Sequence, residues 1–228
     1  MNISPRYWLP VVVLVLAIAG CAPPPVLRND KLLHDTSLIS GEPCEAPCWR
    51  NITPGETSWR DALAALGDES DLALDPVQDD PNSDAVGVQW KEADGDLCCQ
   101  MISEDGQTVS LIFLQTAPVM TVGELVEKYG EPTYAIGNSV TDDQAVVLLV
   151  YPALQTVVIS FIPGASAELS EDSDIIGVWY ITEANMDLFT KTNNLYNWNG
   201  YQPFSSYSSD ADASQFDVTP SITVTPSA

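Results

Sequence analysis

Residues 86–103 read VGVQWKEADGDLCCQMIS, and this stretch decides the class of fold. Val86, Val88 and Trp90 occupy alternate positions, which is the spacing of a strand with one face turned to a core. Asp94-Gly95 follows, and this dipeptide is typical of a tight turn between antiparallel strands. The stretch therefore predicts a β-hairpin.

The same pattern continues beyond the first hairpin. Leu97 to Ser103 is the predicted return strand, Asp105-Gly106 is a second turn, and Val109 to Leu114 is a third strand. Short strands that are separated by such turns form antiparallel meanders. We therefore predict three consecutive antiparallel strands.

A helix is predicted before the first hairpin. Its apolar stripe has helical spacing and consists of Trp59, Ala62, Leu63 and Leu66. Thr57 or Ser58 is a suitable N-cap residue, and Gly67 occupies the position of a left-handed C-cap. The sequence thus predicts one amphipathic helix that ends near Leu66.

A second helix is predicted about 60 residues later. Thr121 and Glu124 have the spacing of a capping box, and Gly130 with Pro132 predicts the helix end. The apolar stripe is Val122, Leu125, Val126 and Tyr129. Three strands are predicted after this helix, at about 145–151, 156–162 and 175–182.

The fold class predicted from these elements is α+β. We expect two helix-plus-three-strand units, at about 47–115 and 120–183, with the helices packed on antiparallel sheet. Both units belong to one domain, residues 44–207. The Ser-, Thr- and Pro-rich residues 208–228 offer little apolar area, so we expect them to be disordered.

The N-terminus carries a recognisable export pattern. Arg6 precedes the apolar run Trp8 to Ala19, and residues 16–21 read LAIAGC. The run is shorter than a typical membrane-spanning helix. This arrangement resembles the lipobox of bacterial lipoproteins, in which a signal peptidase cuts before a cysteine that carries diacylglycerol. An uncleaved anchor helix and an ordinary signal peptide are the two alternatives.

The lipobox resemblance implies a location and a chain organisation. Residues 1–20 would be a signal peptide, and Cys21 would be the lipidated N-terminus at the extracytoplasmic face of the cell membrane. Residues 21–43 begin with a proline-rich stretch, and we expect them to be an extended tether.

Four further cysteines are present: Cys44, Cys48, Cys98 and Cys99. In an exported chain, an even number predicts two disulfides, and four cysteines allow three pairings. A bond between Cys98 and Cys99 is the less expected pairing, because neighbours in a strand point to opposite faces. A zinc site is disfavoured in an oxidising compartment, and we predict no metal or other cofactor.

The charge composition limits the classes of partner. The chain has 32 acidic and 8 basic side chains, and its formal net charge is −24. Nucleic acids and anionic headgroups attract Lys and Arg, so we predict no nucleic-acid partner. The acidic loop from about Asp68 to Asp84 lacks the spacing of a calcium loop and is interpreted as solvated.

The two helical segments resemble a known family. The pattern Ile52-x-Pro54-Gly55-x-Thr57 before a helix, and Gly130-Glu131-Pro132 after one, looks like the module of SmpA/OmlA-type lipoproteins. Tandem repeats of this plan are similar in architecture to β-lactamase inhibitor protein. The block from Cys44 to Thr57 resembles one in uncharacterised bacterial lipoproteins. No catalytic residue is implied by these resemblances.

The resulting hypothesis is a non-catalytic, membrane-anchored lipoprotein that binds a protein partner. Its candidate contacts are Trp49, Trp90 and Trp198, although aromatic residues also dominate protein cores. Trp198-Asn199-Gly200-Tyr201 is interpreted as an aromatic cap on the core. Two alternatives are an inhibitor of a secreted hydrolase and a hydrolase with paired carboxylates, which needs one raised carboxyl pKa.

Overall fold

Ten strands form one antiparallel sheet in the computed structural model, which describes residues 27–79, 81–164 and 167–208. The strands are β1 (Leu72–Leu74), β2 (Gln78–Asp79), β3 (Val86–Glu92), β4 (Cys99–Ser103), β5 (Leu111–Gln115), β6 (Tyr134–Thr141), β7 (Gln144–Tyr151), β8 (Thr156–Ile162), β9 (Ile175–Ile181) and β10 (Tyr196–Asn197). Their spatial order is β1-β3-β4-β5-β9-β8-β7-β6-β10, and β2 pairs with β3. The predicted meander is therefore confirmed as β3, β4 and β5.

Four α-helices accompany the sheet in the described part of the chain. They are α1 (Ser37–Ser40), α2 (Trp59–Asp68), α3 (Val122–Tyr129) and α4 (Glu183–Thr192). Ser58 caps α2 by accepting a hydrogen bond from Asp61 N, and α3 has the predicted capping box. Gly67 is not a C-cap, because α2 continues through it to Asp68. No described helix is long and apolar enough to cross a membrane.

The predicted duplication of a helix and three strands is wrong. The second half contains four long strands, since β6 precedes the three that the sequence predicts. A third long helix, α4, follows β9. The halves also do not form separate units, because β5 pairs with β9 from Leu111↔Ile181 to Gln115↔Gly177. Pairing these two strands removes two exposed edges and makes one continuous sheet.

The sheet buries apolar side chains on both faces. The main core contains Val147 and Leu149 of β7 and is covered by α2, α3 and the segment that precedes α2. The alternate residues of β7 belong to a second cluster, the second apolar face. This face comprises Phe113, Ile136, Val146, Leu148, Val150, Val157, Ile159, Ile176 and Ile181, with Met186 of α4 packed on them. Strand alternation thus gives β7 two buried faces.

Residues 27–43, which are predicted as a tether, belong to the folded domain in the structure. Leu33 is fully buried and Leu38 is 2% exposed. Leu33 N donates to Gln115 O of β5, and α1 lies in this segment. Only residues 22–26 separate Cys21 from the described domain, a distance of at most about 20 Å for an extended chain.

Candidate functional site

The cysteines form two short-range disulfides, Cys44–Cys48 and Cys98–Cys99. The less expected pairing of neighbours is therefore present. Cys98 lies just outside β4, which begins at Cys99, so the alternation of a regular strand does not separate the two side chains. Both residues are buried, at 5% and 2% exposure. Cys21 lies outside the described residues.

Trp49 and Trp90 are in the core and are not available as contacts. Both are fully buried, and their rings stack with centroids 5.4 Å apart. Trp49 Nε1 donates a 2.9 Å hydrogen bond to Asp35 Oδ2. Arg50 lies over the ring of Trp49, 5.1 Å from its centroid, and its guanidinium is paired with Asp71 and Glu69. These two tryptophans therefore stabilise the fold.

Trp198 is the predicted contact that the structure leaves partly exposed. It follows β10, and its backbone N–H donates to Thr133 O, which places it beside the start of β6. Its ring stacks on Tyr207 with parallel planes and a centroid distance of 5.8 Å. Tyr201 approaches it edge-on at 5.7 Å. We call Trp198, Tyr201, Phe204 and Tyr207 the Trp198 cluster.

Phe204 and Tyr207 are the buried members of the Trp198 cluster, and they support the two partly exposed members. Tyr207 is 1% exposed, and its hydroxyl donates to Gly200 O at 2.5 Å and accepts from Asn199 N at 3.1 Å. Gly200 has a φ of 83°, a conformation that favours glycine, so the turn between the two aromatic residues is defined. Phe204 is 8% exposed and anchors the short 3₁₀ turn Phe204–Tyr207 on β6. Trp198 and Tyr201 are thus held as a preformed surface.

Two carboxylates influence the tyrosines of this surface. Burial, followed by the charges of Glu171 and Glu131, raises the pKa of Tyr201. Glu131 also contributes to the raised pKa of Tyr207, for which burial is again the main cause. Both glutamates are exposed, so they remain accessible to a partner. The site therefore combines aromatic faces with negative charge.

The arrangement suits a cationic group. A Lys or Arg side chain is attracted to the face of Trp or Tyr, with Trp the most favourable. Carboxylates beside the rings pair with the same cation, and Arg does so through two parallel hydrogen bonds. The net charge of −24 adds a long-range attraction for basic partners.

Two further carboxylates, Asp105 and Glu45, are used in structural contacts. Asp105 accepts from Gln107 N, Thr108 N and Ser103 Oγ, and these bonds lower its pKa. Glu45 receives hydrogen bonds from Lys128 and Tyr129, which lower its pKa. A carboxyl with a lowered pKa is ionised at neutral pH and unsuited to act as a general acid. Within the described residues, no group of three His, Cys, Asp or Glu side chains could hold a metal ion.

The sequence indicated only half of the Trp198 cluster. The predicted aromatic cap includes Trp198 and Tyr201 and leaves out Phe204 and Tyr207. Tyr201, Phe204 and Tyr207 recur every three residues and flank Pro203, which is the spacing of a 3₁₀ turn. Glu131 and Glu171 are distant in sequence and are brought to the cluster only by the fold. Comparisons with family models, curated proteins and solved structures find no match for this chain.

Proposed function

We propose that this chain is a lipid-anchored extracytoplasmic protein whose folded domain binds a basic segment of a protein partner. The proposal is carried by the partly exposed pair Trp198 and Tyr201, which packs on the buried Tyr207. The negative charges of Glu131 and Glu171 act on this pair through Tyr201. Preorganised aromatic side chains bind with little loss of conformational entropy. The function is non-catalytic recognition.

Two observations support the extracytoplasmic location. The disulfides Cys44–Cys48 and Cys98–Cys99 are of a kind that persists in oxidising compartments. The described part of the domain begins at Leu27, six positions after Cys21 in the sequence. A lipid on Cys21 would therefore hold the domain close to the membrane surface, and two or more acyl chains give a stable anchor.

Lipidation should depend on Cys21 alone. A labelled fatty acid supplied to cells that express the chain is expected to appear on the peptide that begins at Cys21. The Cys21→Ser variant should carry no label and should leave the mature membrane-bound form unpopulated. Cys44→Ser is the matched control and should still be labelled. Label that persists in Cys21→Ser would contradict the proposed anchor.

Binding should be localised at the Trp198 cluster. We expect an oligoarginine peptide to shift the indole N–H resonance of Trp198 saturably in a heteronuclear NMR titration. Trp198→Ala should weaken binding about tenfold, which corresponds to loss of one cation–aromatic contact of about 1.4 kcal/mol. Glu131→Gln and Glu171→Gln should each weaken binding less, because exposed charges are screened.

The control for this titration is Glu127→Gln, which removes an exposed charge on α3 and should leave the affinity unchanged. A purely nonspecific attraction would perturb acidic residues over the whole surface equally, and Trp198→Ala would then have no effect. Such a result would reject the Trp198 cluster as the binding site.

A further inference from the structure

The two disulfides differ in how far solvent can reach them. Cys98 and Cys99 are buried, at 5% and 2% exposure. Cys44 and Cys48 are each partly exposed, and they flank the exposed side chain of Glu45. Thiol–disulfide exchange begins when a thiolate attacks a sulfur atom, so its rate depends on access to that sulfur. An external thiol can therefore reach Cys44–Cys48 in the folded domain, whereas Cys98–Cys99 is protected.

The Cys44–Cys48 loop carries a carboxylate that contacts the end of α3. Glu45 Oε2 accepts a 2.9 Å hydrogen bond from the hydroxyl of Tyr129, and Lys128 Nζ lies 3.0 Å from the same oxygen. The Tyr129 hydroxyl is also 3.0 Å from the carbonyl oxygen of Leu38, which belongs to α1. The side chain of Glu45 thus takes part in the contact between α1 and α3.

The amine of Lys128 is covered at this contact. Its Nζ atom is buried, although 20% of the side-chain surface of Lys128 is exposed. Gly41 lies close to the amine, because a Cβ at Gly41 would be 2.7 Å from Nζ. Glu45 is the more exposed member of the ion pair, with 63% of its side-chain surface open to solvent. Movement of Glu45 away from α3 would therefore expose the amine.

The disulfide restricts the position of Glu45. A cross-link between positions 44 and 48 removes many of the conformations that the three residues between them could adopt. A hydrogen bond from Cys48 N to Glu45 O, at 3.0 Å, spans part of the loop but is much weaker than a covalent bond. The ion pair of Glu45 with Lys128 is partly solvated, and such pairs contribute little to stability. Cleavage of the disulfide should therefore allow Glu45 to leave α3.

We propose that Cys44–Cys48 is a site of thiol–disulfide exchange with a dithiol, and that its reduction uncovers the amine of Lys128. A thiolate of the dithiol attacks one sulfur atom, the bond between Cys44 and Cys48 breaks, and the other cysteine leaves as a thiolate. The second thiol of the dithiol then attacks the mixed disulfide and releases the first cysteine. Two electrons and two protons pass to the chain, and the dithiol becomes a disulfide.

The first experiment measures which disulfide reacts. The folded full-length chain is treated briefly with dithiothreitol, a small dithiol, and free thiols are alkylated with iodoacetamide. Mass spectrometry should find the label on Cys44 and Cys48 and not on Cys98 or Cys99. Urea added with the reductant should allow all four cysteines to be labelled. Equal labelling of the two pairs in the folded protein, or no labelling of Cys44 and Cys48, would overturn the proposal.

The second experiment measures the exposure of the Lys128 amine with an amine-reactive acetylating ester. Acetylation of Lys128 should be about tenfold faster after reduction, because a buried group reacts only while the structure is locally open. Lys31 is exposed and is the internal control, whose rate should not change. A chain that carries both Cys44→Ser and Cys48→Ser should match the reduced protein without any reductant.

Glu45→Ala separates loss of the covering side chain from loss of the disulfide. This variant keeps Cys44–Cys48 and removes the carboxylate, so Lys128 should react rapidly in both redox states. In the unsubstituted chain, an equal rate of Lys128 acetylation before and after reduction of Cys44–Cys48 would overturn the proposal. A parallel rise in the rate at Lys31 would also overturn it, because the change would then not be local to the loop.

Discussion

Trp49→Ala is expected to lower the free energy of unfolding by about 3–5 kcal/mol, the usual cost of removing a large buried aromatic side chain. The indole is fully buried and stacks on Trp90, so its removal leaves a cavity between two core elements. Asp35 also loses the hydrogen bond from Nε1 and retains its bonds from Ser37. Urea unfolding followed by circular dichroism measures the change.

Trp49→Phe should have an intermediate cost. Phenylalanine keeps one ring for the stack on Trp90 and removes the indole donor together with the second ring, so its cost should lie below that of Trp49→Ala. Leu188→Ala is the surface control, since Leu188 is 59% exposed and should change stability by less than about 0.5 kcal/mol. If Trp49→Ala cost no more than Leu188→Ala, the core position of Trp49 would be refuted.

Gly137→Val is expected to cost about 1–3 kcal/mol through overpacking and to distort the Trp198 cluster. A side chain at Gly137 would overlap the carbonyl oxygen of Phe204 and lie 2.8 Å from its carbonyl carbon. These are backbone atoms, which cannot move aside as the end of a side chain does. The 3₁₀ turn must therefore shift, and Tyr207 shifts with it. Near-ultraviolet circular dichroism and the oligoarginine titration report that shift.

Gly67→Ala provides the comparison for the Gly137 variant. A Cβ at Gly67 meets nothing within 4 Å, and Gly67 lies inside α2. Alanine there should stabilise the helix by about 0.5–1 kcal/mol. Opposite signs for these two substitutions are the expected outcome. A neutral Gly137→Val would mean that the turn is not seated on β6.

The sequence predicted the regular elements where periodicity and turn residues agree. Both amphipathic helices and six strands are found close to the predicted positions. It missed β6, because Gly137, Asn138 and Ser139 are turn formers that here lie in a strand. It also missed α4, whose polar composition leaves Met186 as its one buried residue. The N-cap of α4, Thr182, is the last residue of the strand predicted at 175–182.

The sequence predicts part of the candidate site. Trp198 was among three tryptophans proposed as contacts, and composition alone does not distinguish an exposed indole from a buried one. Trp49 and Trp90 are buried because the segment before α2 folds over the sheet, a packing that depends on contacts between distant residues. The exposure of a side chain depends on the tertiary structure, and only the structure shows that Trp198 is the partly exposed one of the three.

The sequence by itself determined the strand and helix periods, the turn residues, the acidity and the even number of cysteines after Cys21. These are local or additive properties, and each is set by neighbouring residues or by simple counts. Tertiary structure alone decided that β5 pairs with β9, that Cys98 bonds to Cys99, and that the charges of Glu131 and Glu171 act on Tyr201. The pairing of β5 with β9 and the assembly of the surface join residues far apart in the chain. These pairings could not be predicted because they are stabilised by burial of apolar area over the whole sheet. That burial depends on residues from many segments, so it cannot be read from any short stretch of sequence.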